Sequence, residues 1–193
     1  FVDIALSPKD LAQRLPMAGL EVTSSEQRED DFVFEIEITS NRPDWLSVVG
    51  IAREVAAITG KKLKTVKAAK RAPAHQKGLA IKIEDHQDCP LYTAKIIRDV
   101  RVSASPAWLR KRLEEVGCRS VNNIVDITNY AMFAWGEPLH AFDLDRLAPG
   151  SILVRRARHQ EKIMTIDGQE RLLSTDILVI ADSKGPVAVA GIM

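Results

Sequence analysis

The stretch "RSVNNIVDITNYAMFAWGEPLHAFD", residues 119–143, decides how this chain is read. Val121, Ile124, Val125, Thr128, Met132 and Trp135 recur at helical spacing and share one face. Asn122, Asp126 and Asn129 follow at i, i+4 and i+7 and make a second stripe. Asn and Asp are mediocre residues for a helix interior, because their side chains compete for backbone hydrogen bonds. Three of them on one stripe of an apolar segment call for partners. Two readings stand open. The stripe is a buried hydrogen-bond network that fixes helix packing, or it is the wall of a polar pocket that holds water or substrate. Gly136 and Pro138 end the helix, His140 follows in a turn, and Asp143 can cap a short next helix.

Working outward, the same grammar recurs. In "ASPAWLRKRLEEVG" Ser105 reads as a cap, Pro106 as the first helical residue, Leu109 and Leu113 as one face, and Gly117 as the stop. "LSPKDLAQRLPMAGLEV" pairs Ser7 with Asp10 in a capping box, buries Leu11, Leu15 and Ala18, and stops at Gly19, with Pro16 shortening or kinking its end. "LEVTSS" and "DFVFEIEIT" read as a hairpin turning at "EQRED", with Phe32, Phe34, Ile36 and Ile38 on one side. In "SNRPDWLSVVGIAREVAAITG" Asp44 is a candidate cap, and Trp45, Val48, Val49, Ala52, Val55 and Ala56 form a stripe that ends at Gly60.

Strand patterns lie at "LAIKIE" and "YTAKIIR", and again at "SILVRRA", "EKIMTI", "RLLST" through "DILVIAD", and "VAVAGIM". Asp-Gly in "IDGQE" predicts a hairpin with a type I′ turn. Helices and strands do not alternate strictly, so the fold class is α+β. Three regions are expected: a small helix–hairpin–helix domain over 1–60, a basic linker over 61–77, and a mixed α/β domain over 78–193. The linker's lysines read either as a solvated segment or as a contact for RNA phosphates.

Composition excludes several classes. The 27 basic and 26 acidic residues nearly cancel, so no global field draws the chain to nucleic acid. Nothing approaches the ~18 consecutive apolar residues of a membrane span, and the first residues lack the pattern of a signal peptide. Cys89 and Cys118 form no C-x-x-C pair and suit a reduced, cytoplasmic protein. His140 has no second His or Cys at metal-ligand spacing, so no metal site is expected. Nucleophile-elbow, Walker and dinucleotide glycine patterns are absent from the sequence. The chain starts without Met and stops in an apolar, strand-like run, so it reads as a fragment of a longer protein.

Four stretches, in order and over nearly the whole chain, resemble the beta subunit of bacterial phenylalanyl-tRNA synthetase. They are "LAQRLPMAGLEV", "EIEITSNRPDWLSVVGIAREVAAITGKKL", "RSVNNIVDITNYAMFAWGEPLHAFDLDRL" and "DILVIAD…VAVAGIM". The resemblance implies that 1–60 is the subunit's first domain, without its usual oligonucleotide-binding insertion. It implies that 78–193 is an incomplete editing domain, which hydrolyses tyrosine wrongly attached to tRNA(Phe). By the same resemblance Arg119, Thr128, Asn129 and His140 belong to the editing pocket. Arg119 suits the tRNA end or a phosphate, and Asn122 and Asp126 support the wall. The implied partners are the alpha subunit, in an assembly of two alpha and two beta, and tRNA(Phe). ATP and Mg2+ serve the complete enzyme, whose synthetic chemistry lies in the alpha subunit.

Such a site has a physical reason. A pocket shaped for phenylalanine rejects an isostere with one more hydroxyl by only about a hundredfold. A second site that grips the phenolic hydroxyl then removes the error. His140 either orients the attacking water or contacts the tyrosyl group. The competing reading is a non-catalytic module of the same fold that docks RNA or protein.

Overall fold

The computed structural model describes residues 1–64, 66, 79–148 and 150–191. Most of the basic linker expected over 61–77 lies outside these residues. The described parts fall into two compact units. One draws from Phe1–Ala69 and Arg101–Ala141, the other from Lys70–Val100 and Phe142–Met193. Residues 101–141 thus group with the N-terminal segment, across the boundary near 78 that the sequence suggests.

The first unit begins with α1 (Pro8–Met17). The Ser7 hydroxyl accepts from the Asp10 N–H at 3.1 Å and donates to its carboxylate at 2.7 Å. Pro16 sits in the last turn, one residue before the helix ends. β1 (Glu21–Arg28) and β2 (Asp31–Glu37) pair antiparallel from Glu21↔Glu37 to Arg28↔Asp31. Pairing runs further into "EQRED" than the turn signals suggest, leaving Glu29 and Asp30 as the connection, with Glu29 left-handed at φ 51°. Phe34, Ile36 and Ile38 pack on a core of Leu11, Leu15, Leu20, Trp45 and Val55. Phe32 stays outside it.

A 3-10 turn, Pro43–Trp45, leads into α2 (Val48–Thr59). The cap of α2 is Ser47, whose hydroxyl accepts from the Gly50 N–H at 3.1 Å, and not Asp44. The Asp44 carboxylate is occupied by the Arg42 guanidinium, at 3.0 and 2.9 Å. Arg42 in turn lies 3.6 Å from the centroid of the Trp45 ring, a cation–π contact that places it over the core tryptophan.

α3 (Ala107–Glu115) buries Leu109 and Leu113, as its pattern indicates. Pro106 occupies the cap position without a side-chain bond, so Ser105 does not cap; its hydroxyl points elsewhere. α4 (Asn123–Trp135) packs on α3 and α2. It ends at left-handed Gly136, φ 83°, where an added Cβ would come within 3.3 Å of Ser47 Cβ.

The second unit is a four-stranded sheet ordered β3 (Leu79–Ile83), β4 (Gly150–Arg156), β7 (Leu178–Ala181), β8 (Pro186–Val189). β3 and β4 run parallel and the other pairs antiparallel. β5 (Lys162–Met164) and β6 (Glu170–Leu172) form a hairpin beside it. Its turn closes by Gly168 N–H to Thr165 O at 2.9 Å. Gly168 alone of the Asp-Gly pair has positive φ, so the turn is not the expected type I′, which needs both. The core holds Ala157, Ile163, Leu173, Val179 and Ala181. "YTAKIIR" forms no strand. Its Ile97 is exposed and β3 pairs with β4 instead; a β-rich pattern becomes a strand only where it finds a ladder.

Candidate functional site

The site candidates cluster on α4 and the chain around it. Asn122 caps the helix: its Oδ1 accepts from the Ile124 and Val125 N–H groups, both at 3.0 Å. It therefore faces backbone rather than standing in the stripe. Asp126 is fully buried. Its Oδ2 accepts from the Ser105 and Ser120 hydroxyls, both at 2.5 Å, and its Oδ1 from the Val121 N–H at 2.9 Å. Burial by itself would raise the pKa of this carboxyl. The hydrogen bonds from Ser105, Ser120 and the backbone outweigh it and hold the group below the ordinary carboxylate range.

Asn129 is half-buried and donates from Nδ2 to Cys118 Sγ at 3.6 Å. Thr128, also half-buried, turns its hydroxyl to the Val125 carbonyl at 2.7 Å within the helix. Arg119 is exposed, between Cys118 and Ser120. His140 is exposed in the irregular chain beyond Gly136. Asp126 and Asn129 thus grip the residues on either side of Arg119, and Asn122 caps the same end of α4.

The helical pattern does not single out Asn123. It donates from Nδ2 to Arg101 O at 2.9 Å, and its Oδ1 accepts from the Ser103 N–H at 3.1 Å. Ser105 is the second such residue, because Ser-Pro before a helix reads as a cap. The adjacent Asn-Asn pair was the available signal for Asn123, since one cap cannot use two amides. Together Asn123, Asp126 and Asn129 clasp the segments that enter and leave α3. The polar stripe is thereby a filled network, and the side chains left with open surface are Arg119, His140 and, in part, Thr128 and Asn129.

A shallow hollow beside α3 is lined by Asp30, Asp31, Trp108, Lys111 and Arg112. Lys111 pairs with Glu29, and Arg112 with Asp31 at 2.7 Å. Its cations are already matched by carboxylates, which makes it a poor phosphate site. Among the described residues no group of three or more His, Cys, Asp or Glu side chains is placed to hold a metal ion. No helix among them is long and apolar enough to cross a membrane.

A mixed helix-and-sheet chain with this clasp falls in a known class: residues 88–193 match the B3/4 domain family, and the chain belongs to it. The relatives are more particular. The chain is 49% identical over 164 residues to the phenylalanine–tRNA ligase beta subunit of Carboxydothermus hydrogenoformans, covering 85% of this chain and 21% of that one. It is 44% identical over 195 residues to the subunit of the same name from Rhodopirellula baltica, covering 100% of this chain and 29% of that one. The chain thus spans between a fifth and a third of the length of these relatives. An alignment of 195 positions over 193 residues leaves no room for an inserted domain in the Rhodopirellula protein within the matched region. A crystal structure of an N-terminal fragment of the phenylalanyl-tRNA synthetase beta-subunit from Pyrococcus horikoshii is 17% identical, with a TM-score of 0.44, covering 94% of this chain and 55% of that one.

Proposed function

We propose that this chain is part of a phenylalanine–tRNA ligase beta subunit and carries part of the site that hydrolyses Tyr-tRNA(Phe). The observation that carries the reading is the 44% identity over the full chain to a subunit of that name. In this reading Arg119 contacts the tRNA end, with the guanidinium suited to phosphate or to the ester's ribose. Asn129 and Thr128 line the pocket, and His140 orients the attacking water or holds the tyrosyl group. Asn122 and Asp126 act behind them. The partners are the alpha subunit, in an assembly of two alpha and two beta, and tRNA(Phe), in the cytoplasm. Formation of Phe-tRNA, with ATP and Mg2+, belongs to the alpha subunit.

The test is deacylation of Tyr-tRNA(Phe) by the full subunit with its alpha partner. His140→Ala is expected to slow hydrolysis about 10²-fold or more, as losses of positioned acid–base groups do, while Phe-tRNA formation stays nearly intact. Equal deacylation by variant and parent would remove His140 from the site. No deacylation by the parent would remove the editing reading altogether.

A further inference from the structure

We infer that Asp126, with Ser105 and Ser120, is a positioning device that sets how Arg119 is presented. Arg119 is exposed and none of its neighbours in the chain belongs to a helix or strand. Irregular backbone on a surface is ordinarily mobile, and a guanidinium on such a segment loses entropy when it binds. Here the segment is held at three points, one before Arg119 and two after it. Cys118 Sγ takes the Asn129 amide at 3.6 Å. The Ser120 hydroxyl and the Val121 N–H both end on the Asp126 carboxylate, at 2.5 and 2.9 Å. Arg119 is left as the one side chain between these anchors.

Ser105 completes the device from the other side of α3. Its hydroxyl, 5% exposed as a residue, reaches the same Asp126 oxygen as Ser120 does. One carboxylate therefore joins the entry to α3, the exit from α3 and the first turn of α4. Charge-assisted hydrogen bonds to a carboxylate are stronger than neutral ones. Full burial removes water as a competitor for them. An amide at 126 would keep the shape but lose the negative charge that strengthens these bonds. Asp126 makes no contact with solvent, so any effect it has on a ligand is indirect, through the segments it holds.

The inference rests on the reading of Arg119 as a contact for the tRNA end, and its test separates the two. The variants are Ser120→Ala, Ser105→Ala, Arg119→Ala and the Ser120→Ala/Arg119→Ala double, in the full subunit with its alpha partner. Hydrogen exchange is followed in peptides covering 118–121, and KM and kcat for Tyr-tRNA deacylation are measured. Ser120→Ala is expected to raise exchange at Val121 and to raise KM about threefold to tenfold, the size of one hydrogen bond's contribution, with kcat nearly constant. In the Arg119→Ala background it should add nothing to KM. An equal rise in both backgrounds would overturn the inference, because Ser120 would then act without Arg119. Unchanged exchange at Val121 in Ser120→Ala would overturn it as well. If Arg119→Ala itself leaves KM unmoved, the functional half of the inference falls with the reading of Arg119, and exchange alone decides whether Asp126 holds the segment.

Discussion

The Ser105 hydroxyl donates to the Asp126 carboxylate at 2.5 Å, with both residues buried, and so ties the start of α3 to the first turn of α4. Asp126→Ala would strand two hydroxyls and the Val121 N–H, at a cost of about 2–3 kcal/mol. Its carboxyl titrates lower in the folded chain than a free carboxyl does. A group with a depressed folded pKa adds stability that is complete above its unfolded pKa, near ~4. That stability is lost as pH falls through the folded value. Urea unfolding should thus show a steeper loss of stability below about pH 5 in the parent than in Asp126→Asn. Parallel pH profiles for the two proteins would contradict the assignment.

Gly50 sits in the first turn of α2, directly above the 3-10 turn. A Cβ placed there would lie 1.7 Å from the Asp44 carbonyl oxygen and 2.8 Å from its carbon. Both are backbone atoms, so no rotamer change relieves the clash. Gly50→Ala is expected to destabilise the chain by about 3 kcal/mol or more, although alanine favours helix. The same change at Gly60, whose added Cβ meets nothing within 4 Å, should cost less, chiefly from its φ of 66°. Thermal unfolding of the two variants side by side gives the comparison; a Gly50→Ala protein as stable as the parent would show that the two turns do not meet this closely.

What could be read in advance follows from where the information lies. Capping and helix periodicity are local, so α1 and α3 and their buried leucines were legible: Leu11, Leu15, Leu109 and Leu113 all enter the interior. On α4 the helix was legible but its expected apolar face was not, since Val121, Val125 and Trp135 are exposed and the buried residues are Asp126 and Ala134. Partner choice is not local. Ser105 looks like a cap, yet its hydroxyl goes to Asp126, far along the chain; Asp44 looks like one too, yet it closes on Arg42 just before it, a choice the helix pattern alone leaves open. A residue with two acceptable partners is assigned by tertiary packing, which the pattern of one helix does not contain. The same holds for "YTAKIIR", whose pattern suits a strand but which finds no ladder. The stripe on α4 announced that Asp126 and Asn129 needed partners. It could not say that those partners flank Arg119.

In the sheet unit, Arg155 is 4% exposed and meets Glu161 in two parallel bonds, at 2.8 and 2.7 Å. Glu161 also accepts from the Arg158 N–H at 2.7 Å, and the Arg155 guanidinium holds its carboxyl below the usual range. A buried ion pair is costly to desolvate, so the pair as a whole adds little net stability, whereas losing one partner leaves an unmatched charge. Glu161→Ala should cost about 3–5 kcal/mol. Arg155→Met together with Glu161→Leu should recover most of that loss, since the charge to be buried is gone. The check is urea denaturation of the single and double variants. A double variant no more stable than Glu161→Ala would mean that the two bonds, rather than the unmatched charge, carry the stability.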